Sequence, residues 1–202
     1  MKRNEINSKD LLLCFLYSPG QKDEANEPIV GRTKLTKMMF LFEKEIYAQF
    51  FKDDIQIKLP DFEAYFFGPF SKQLFEDLAF FQSIGMICAT ETSIPLSPAD
   101  KAEEDEAFDL NEDDEWIDAS FADRERFESA YSLSAGGIKY VEEQVWELFS
   151  PPQKKKLQAF KAQINRISLD ALLKYVYNKY PETTTESKIA NKYLDKAEDR
   201  DA

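Results

Sequence analysis

Two short apolar runs on either side of an acidic stretch constrain this chain more than any other feature. Met86-Ile87-Cys88-Ala89-Thr90 follows a helical pattern and a glycine, and reads as a strand. Tyr131-Ser132-Leu133-Ser134-Ala135-Gly136-Gly137 reads as a returning strand that turns into a helix from about Gly137 to Phe149. Helix, strand, strand, helix in this order calls for an antiparallel pair. Its connection, about 91–130, is then roughly 40 residues long, far beyond the usual hairpin loop. Asp100, Glu103, Glu104, Asp105, Glu106, Asp109, Glu112, Asp113, Asp114, Glu115 and Asp118 crowd into it, after Pro95 and Pro98.

That stretch carries the charge of the whole chain. The net charge is −12. Residues 91–133 hold 15 acidic against 3 basic side chains, whereas 1–90 hold 13 against 11 and 134–202 hold 10 against 12. The remainder is near neutral and can present a basic patch locally. Three readings of the acidic stretch stay open. It is a solvated loop; or it holds calcium; or it is an arm that docks on a basic surface, with Phe108, Trp116, Ile117 and Phe121 as anchors among the charges. Asp109-x-Asn111-x-Asp113 has the carboxylate spacing of a calcium loop, but lacks the glycine at the sixth position, so no metal site is assigned. Asp113, Asp114 and Trp116 are the candidate contacts of the arm.

Helices account for most of the rest. The spacing predicts a helix capped by Ser8 and running to about Tyr17, with Leu11, Leu12, Phe15 and Leu16 on one face and Ser18-Pro19-Gly20 as the stop. A second, capped by Thr33, runs to about Phe51 on a stripe of Leu35, Met38, Met39, Phe42, Ile46 and Phe50. Residues 55–59 are a short extended piece, and Gly68-Pro69 breaks the aromatic stretch that follows. Ser71 caps a third helix to about Ser83, ended by Gly85; Ser150-Pro151-Pro152 starts another; Ser168 caps the last, which Pro181 closes. The layout is mainly α with a minor β part: a winged-helix-like helical domain over 1–181, whose hairpin wing is interrupted by the acidic insertion, and a polar tail over 182–202. Arg32, Lys34 and Lys37 gather near the start of the second helix, where positive charge opposes the helix dipole, and so are candidates for contacting a partner.

Composition narrows the chemistry. No histidine occurs, which removes serine–histidine and cysteine–histidine nucleophile pairs and the commonest metal ligand. Two cysteines, Cys14 and Cys88, are too few for a disulfide framework or a Cys/His zinc site. No glycine loop that cradles phosphate is present, and no carboxylate pair is singled out by spacing. No cofactor and no enzymatic activity are expected. The first residues do not read as a signal peptide and no run is long enough to span a membrane, so a cytoplasmic protein without membrane association is expected.

Three stretches taken together resemble a known family. They are Gly31-Arg32-Thr33-Lys34-Leu35-Thr36-Lys37-Met38-Met39-Phe40-Leu41, then Phe62-Glu63-Ala64-Tyr65-Phe66-Phe67-Gly68-Pro69-Phe70-Ser71, and Leu172-Leu173-Lys174-Tyr175-Val176-Tyr177-Asn178-Lys179-Tyr180-Pro181. They resemble the bacterial and phage-associated winged-helix-like families around the SocA-type (Panacea) antitoxin domain and its uncharacterised sister group. The likeness covers about 8–90 and 130–181; the acidic insertion departs from it. It implies neutralisation of a toxin, or a part in a defence or stress complex, by protein contact. Lys34, Leu35, Lys37, Tyr65, Gly68 and Pro69 match its signature, and Arg32, Lys34, Lys37, Tyr65 and Ser71 are the plausible contacts. The expected partner is a protein, such as a toxin or nuclease with a basic surface. DNA is the alternative, although the reading helix at 71–83 offers only Lys72 as a base.

Overall fold

A computed structural model describes residues 5–65, 68–95, 127–187 and 189–194. Asp113, Asp114, Trp116 and the calcium-like spacing lie outside the described residues. The described residues are mainly helical and form three small sheets. No helix among the described residues is long and apolar enough to cross a membrane.

A first short strand, β1 (Glu5–Ile6), leads into α1 (Ser8–Tyr17). The cap is Asn7 rather than Ser8: its side chain accepts from Asp10 N at 2.8 Å. The six-residue apolar run Leu11–Leu16 is buried on every side, so α1 meets solvent only near its ends, at Lys9 and Tyr17. After β2 (Ile29–Val30), α2 (Arg32–Leu41) starts two residues earlier than Thr33 predicts, with Gly31 as cap. It continues without a break through a π-helical stretch, Phe42–Tyr47, into the last turn, α3 (Ala48–Phe50). Phe42 lies at the centre of the core, its ring 5.2 Å from Phe15, 5.3 Å from Phe51 and 6.3 Å from Phe160.

The extended piece predicted at 55–59 is β3 (Gln56–Ile57), parallel to β1. Gly68-Pro69 is not a break. It opens β5 (Gly68–Phe70), which returns antiparallel to β4 (Glu63–Tyr65). Gly68 has φ +85°, and a Cβ there would meet Tyr177 Cε2 at 2.9 Å, so glycine alone lets this hairpin rest on the closing helix. Then α4 (Lys72–Ser83) follows, capped by Ser71 as expected.

Strands β6 (Ile87–Pro95) and β7 (Phe127–Leu133) form the expected antiparallel pair. β6 is longer than the sequence predicts, and β7 lies four residues earlier than the predicted 131–137, with Ala135–Gly137 already helical; the pairing runs from Ile87↔Leu133 to Pro95↔Phe127. The insertion therefore shortens to 96–126. β2 joins on the other side of β7, giving the order β2-β7-β6. Asn26 extends that side by mimicking a strand: its amide accepts from Leu133 N and donates to Leu133 O.

The chain then forms α5 (Ala135–Tyr140), a π-helical stretch Val141–Val145 and a 3-10 turn Trp146–Leu148. A capping box of Ser150 and Gln153 starts α6 (Pro151–Arg166), and Ser168 caps α7 (Leu169–Lys179). Beyond Pro181 the chain does not leave the fold at once. A 3-10 turn, Pro181–Thr183, and α8 (Ala190–Tyr193) bring Tyr193 back onto Tyr177, where its hydroxyl donates to Asp170 at 2.7 Å. The polar tail starting at 182 is thus corrected, as far as 194, to a packed extension.

Candidate functional site

The basic residues near the start of α2 do not form one surface. Lys37 is fully buried, and its Nζ donates to Pro69 O at 3.1 Å. This ties α2 to the β4–β5 hairpin, and Lys37 has no surface with which to meet a partner. Lys34 is half-buried and donates to Ile167 O at 2.8 Å, satisfying a carbonyl at the C-terminal end of α6. Arg32 is half-buried with its guanidinium 4.7 Å from the centre of the Phe75 ring, a cation–π contact between α2 and α4. Ser71 is 1% exposed and its Oγ accepts from Leu74 N. Tyr65 is half-buried and stacks on Phe70 at 5.0 Å. Of the five, Lys37 and Ser71 are corrected to structural roles by their burial. Arg32, Lys34 and Tyr65 keep partial exposure while serving packing.

Two of the three lysines at the start of α6 are likewise engaged. Lys154 donates to Glu147 at 2.6 Å and lies over Trp146, and Lys156 lies 4.1 Å from the centre of the Phe50 ring. A basic surface that joins Arg32, Lys34 and Lys37 to Lys154–Lys156, an alternative geometry for DNA, lacks Lys37, which is buried.

The helix in front of the hairpin shows a different character. The solvent side of α4 and its C-terminal cap present Lys72, Glu76, Ala79, Phe80, Gln82, Ser83 and Ile84. Lys72 faces Glu76 at 3.9 Å, so its charge is already balanced. Phe80 and Ile84, four residues apart, are 46% and 51% exposed. The outer wall of this helix is therefore mixed: its charges cancel, and Phe80 and Ile84 form an apolar spot beside Gln82 and Ser83.

A cleft of about 590 Å³ opens beside the N-terminus of α2, lined in part by Lys22, Glu27, Val30, Lys34, Glu128 and Asn165. Burial pulls the Glu27 carboxyl upward, but hydrogen bonds from Lys22 N and the Asn165 amide outweigh it and hold Glu27 below its ordinary range. The two carboxylates and two lysines balance one another, and Glu27 and Lys34 hold together loop, sheet and helix ends.

Sequence reasoning missed Lys161. It is fully buried, and its Nζ donates to Leu16 O at 2.8 Å and Ser18 O at 2.7 Å, closing the C-terminal end of α1. The signal was present: Lys161 sits four residues after Leu157 and three before Ile164, on the apolar stripe of its helix. Lys37 lies in the same way between Thr33 and Leu41. Burial lowers the Lys161 ammonium to about 7, against a partial pull upward from Glu27. The unfolded chain then binds more protons than the folded one above pH ~7, so stability rises with pH there, by up to ~1.4 kcal/mol per unit. The rise ends near pH 9, because burial raises the Cys14 thiol and unfolding becomes favoured as free thiols ionise. Urea denaturation between pH 7 and 9 should show this slope, and Lys161→Met should flatten it.

No protein-family model and no curated protein matches the sequence, and no solved structure matches the fold.

Proposed function

We propose that this chain is a non-catalytic protein-binding module of the cytoplasm, antitoxin-like or part of a bacterial or phage defence or stress complex. It engages a protein with a basic surface, such as a toxin or nuclease, through the acidic tip of its hairpin. The observation that carries this reading is the pairing of Pro95 with Phe127. Both ends of 96–126 are held side by side at the end of one strand pair. The 31 residues between them hold 13 acidic and 3 basic side chains. A near-neutral body thus displays a concentrated negative charge from one point, suited to steering a cationic partner.

A winged-helix arrangement is part of the proposal. The order β2-β7-β6, with α1, α2 and α4 entering the sheet in sequence, supports it. It also supplies the second reading, a DNA-binding regulator. In that reading α4 would enter the major groove, yet its solvent side carries two large apolar side chains, Phe80 and Ile84, and its one lysine faces a glutamate. An acidic wing would meet phosphates.

A mobility-shift assay with duplex DNA separates the two. At about 50 mM salt, where phosphate contacts are strongest, the full chain should leave the DNA unshifted. A chain with 97–125 replaced by Asn-Gly should behave the same. A saturable shift by either protein would overturn the protein-binding reading in favour of DNA.

A further inference from the structure

We propose that the outer edge of β6 is a docking site for an extended, basic-flanked segment of a partner protein, which adds to the sheet as a further strand. This rests on the reading that the hairpin engages a cationic partner, and adds where that partner's backbone runs.

The register defines the edge. Ser134 N donates to Met86 O at 2.9 Å, so Met86 faces β7. Backbone groups of an antiparallel strand alternate in direction. Cys88 and Thr90, opposite Ser132 and Ala130, therefore also face β7. The N–H and C=O groups of Ile87, Ala89 and Glu91 point the other way. Gly31 N donating to Ser129 O fixes the same alternation from the far side of β7. Among the described residues the sheet ends with β6, and Cys88 through Glu91 are exposed.

Proteins commonly blunt such an edge with lysine, proline or a bulge. β6 carries no basic residue, and its irregular register and proline fall between Glu91 and Pro95, beyond the three outward-facing residues. Ile87 is buried at the root of the edge, and among the described residues the exposed part that can pair, from Ala89 to Glu91, is left unprotected. The small side chains of Cys88, Ala89 and Thr90 admit varied neighbours, so backbone bonds would supply affinity and charge would supply selectivity.

Charge selects the occupant. Glu91 is the single charge of β6, and residues 96–126, which continue from it, carry a net −10. A second copy of the chain would bring the same charge. An extended segment with lysine or arginine beside it would be attracted.

The probe is a fluorescein-labelled peptide of alternating Val and Thr with a short lysine run at one end, titrated with the full chain and followed by anisotropy. Ala89→Pro removes one outward N–H and leaves every bond between β6 and β7 intact. It should weaken binding about tenfold, the equivalent of roughly 1.4 kcal/mol, with the melting temperature unchanged. Should that variant fold poorly, the same peptide N-methylated at alternate residues tests the wild-type chain, and it too should bind about tenfold more weakly. Equal binding in both comparisons would overturn the edge site. If the lysine run alone then still bound, and lost binding on replacement of 97–125, the acidic-tip reading would survive. Failure of both peptides to bind would overturn the edge site and the reading beneath it. Sedimentation showing a wild-type dimer that Ala89→Pro dissolves would assign the edge to a second copy and also overturn the proposal.

Discussion

Gly137→Ala is expected to destabilise the fold by about 3 kcal/mol, the cost of overpacking against atoms that cannot swing aside. A Cβ at Gly137 would stand 2.3 Å from Met86 O, a backbone atom, and 3.2 Å from Leu133 Cβ. Met86 O is already held by Ser134 N, at the junction where α4 gives way to β6 and β7 gives way to α5. Relief would have to move the root of the hairpin. For a chain of this size the loss corresponds to a melting temperature lower by roughly 6–12 °C. The neighbouring Gly136 supplies the control. A Cβ there meets only Ser134 Oγ at 3.6 Å, ordinary contact, on an exposed helical turn. Gly136→Ala should therefore gain up to about 1 kcal/mol from helix propensity. Two adjacent glycines should thus respond with opposite signs in the same denaturation experiment.

Phe42→Ala should cost about 3–5 kcal/mol. Phe42 is fully buried, and its ring meets those of Phe15, Tyr47, Phe51 and Phe160. These rings come from α1, from the segment that continues α2, and from α6, so the cavity left behind would be walled by separate elements that close on it poorly. Urea denaturation should show a lower midpoint with an unchanged slope. Phe80→Ala, on the solvent side of α4, should change stability little, since that ring is 46% exposed.

Local signals were legible in the sequence. Ser71, Ser150 and Ser168 cap helices where the pattern places them, because a cap depends on a side chain and the few residues after it. The existence of the strand pair was legible as well, from the apolar runs at 86–90 and 131–133, whereas 135–137, read as strand, is helix. The length of the pair was not. Thr90 to Pro95 pairs with residues that lie more than thirty positions away, and nothing in that polar stretch announces the partner. Gly68-Pro69 misled for a related reason. It looks like a stop, yet the dipeptide forms a strand that leans on Tyr177, more than a hundred residues later.

The candidate site was legible in part. Charge counting located the acidic stretch but not the geometry that presents it. Reading Lys37 as a contact went astray because a lysine at a helix start looks solvated unless one sees the carbonyl of Pro69 waiting for it. The same blindness hid Lys161, whose acceptors lie at the end of α1. In each case a basic side chain satisfies a distant backbone oxygen, which no local pattern records. The apolar spot on the solvent side of α4 was visible as Phe80 and Ile84, but only their exposure separates them from core residues.

The decisive measurement is the affinity of the full chain for the protein that copurifies with it from its own host, compared with that of a chain in which 97–125 is replaced by Asn-Gly. Calorimetry should give a saturable complex that weakens as salt is added, and the shortened hairpin should lose it while keeping its melting temperature. An undiminished affinity in the shortened chain would contradict the account.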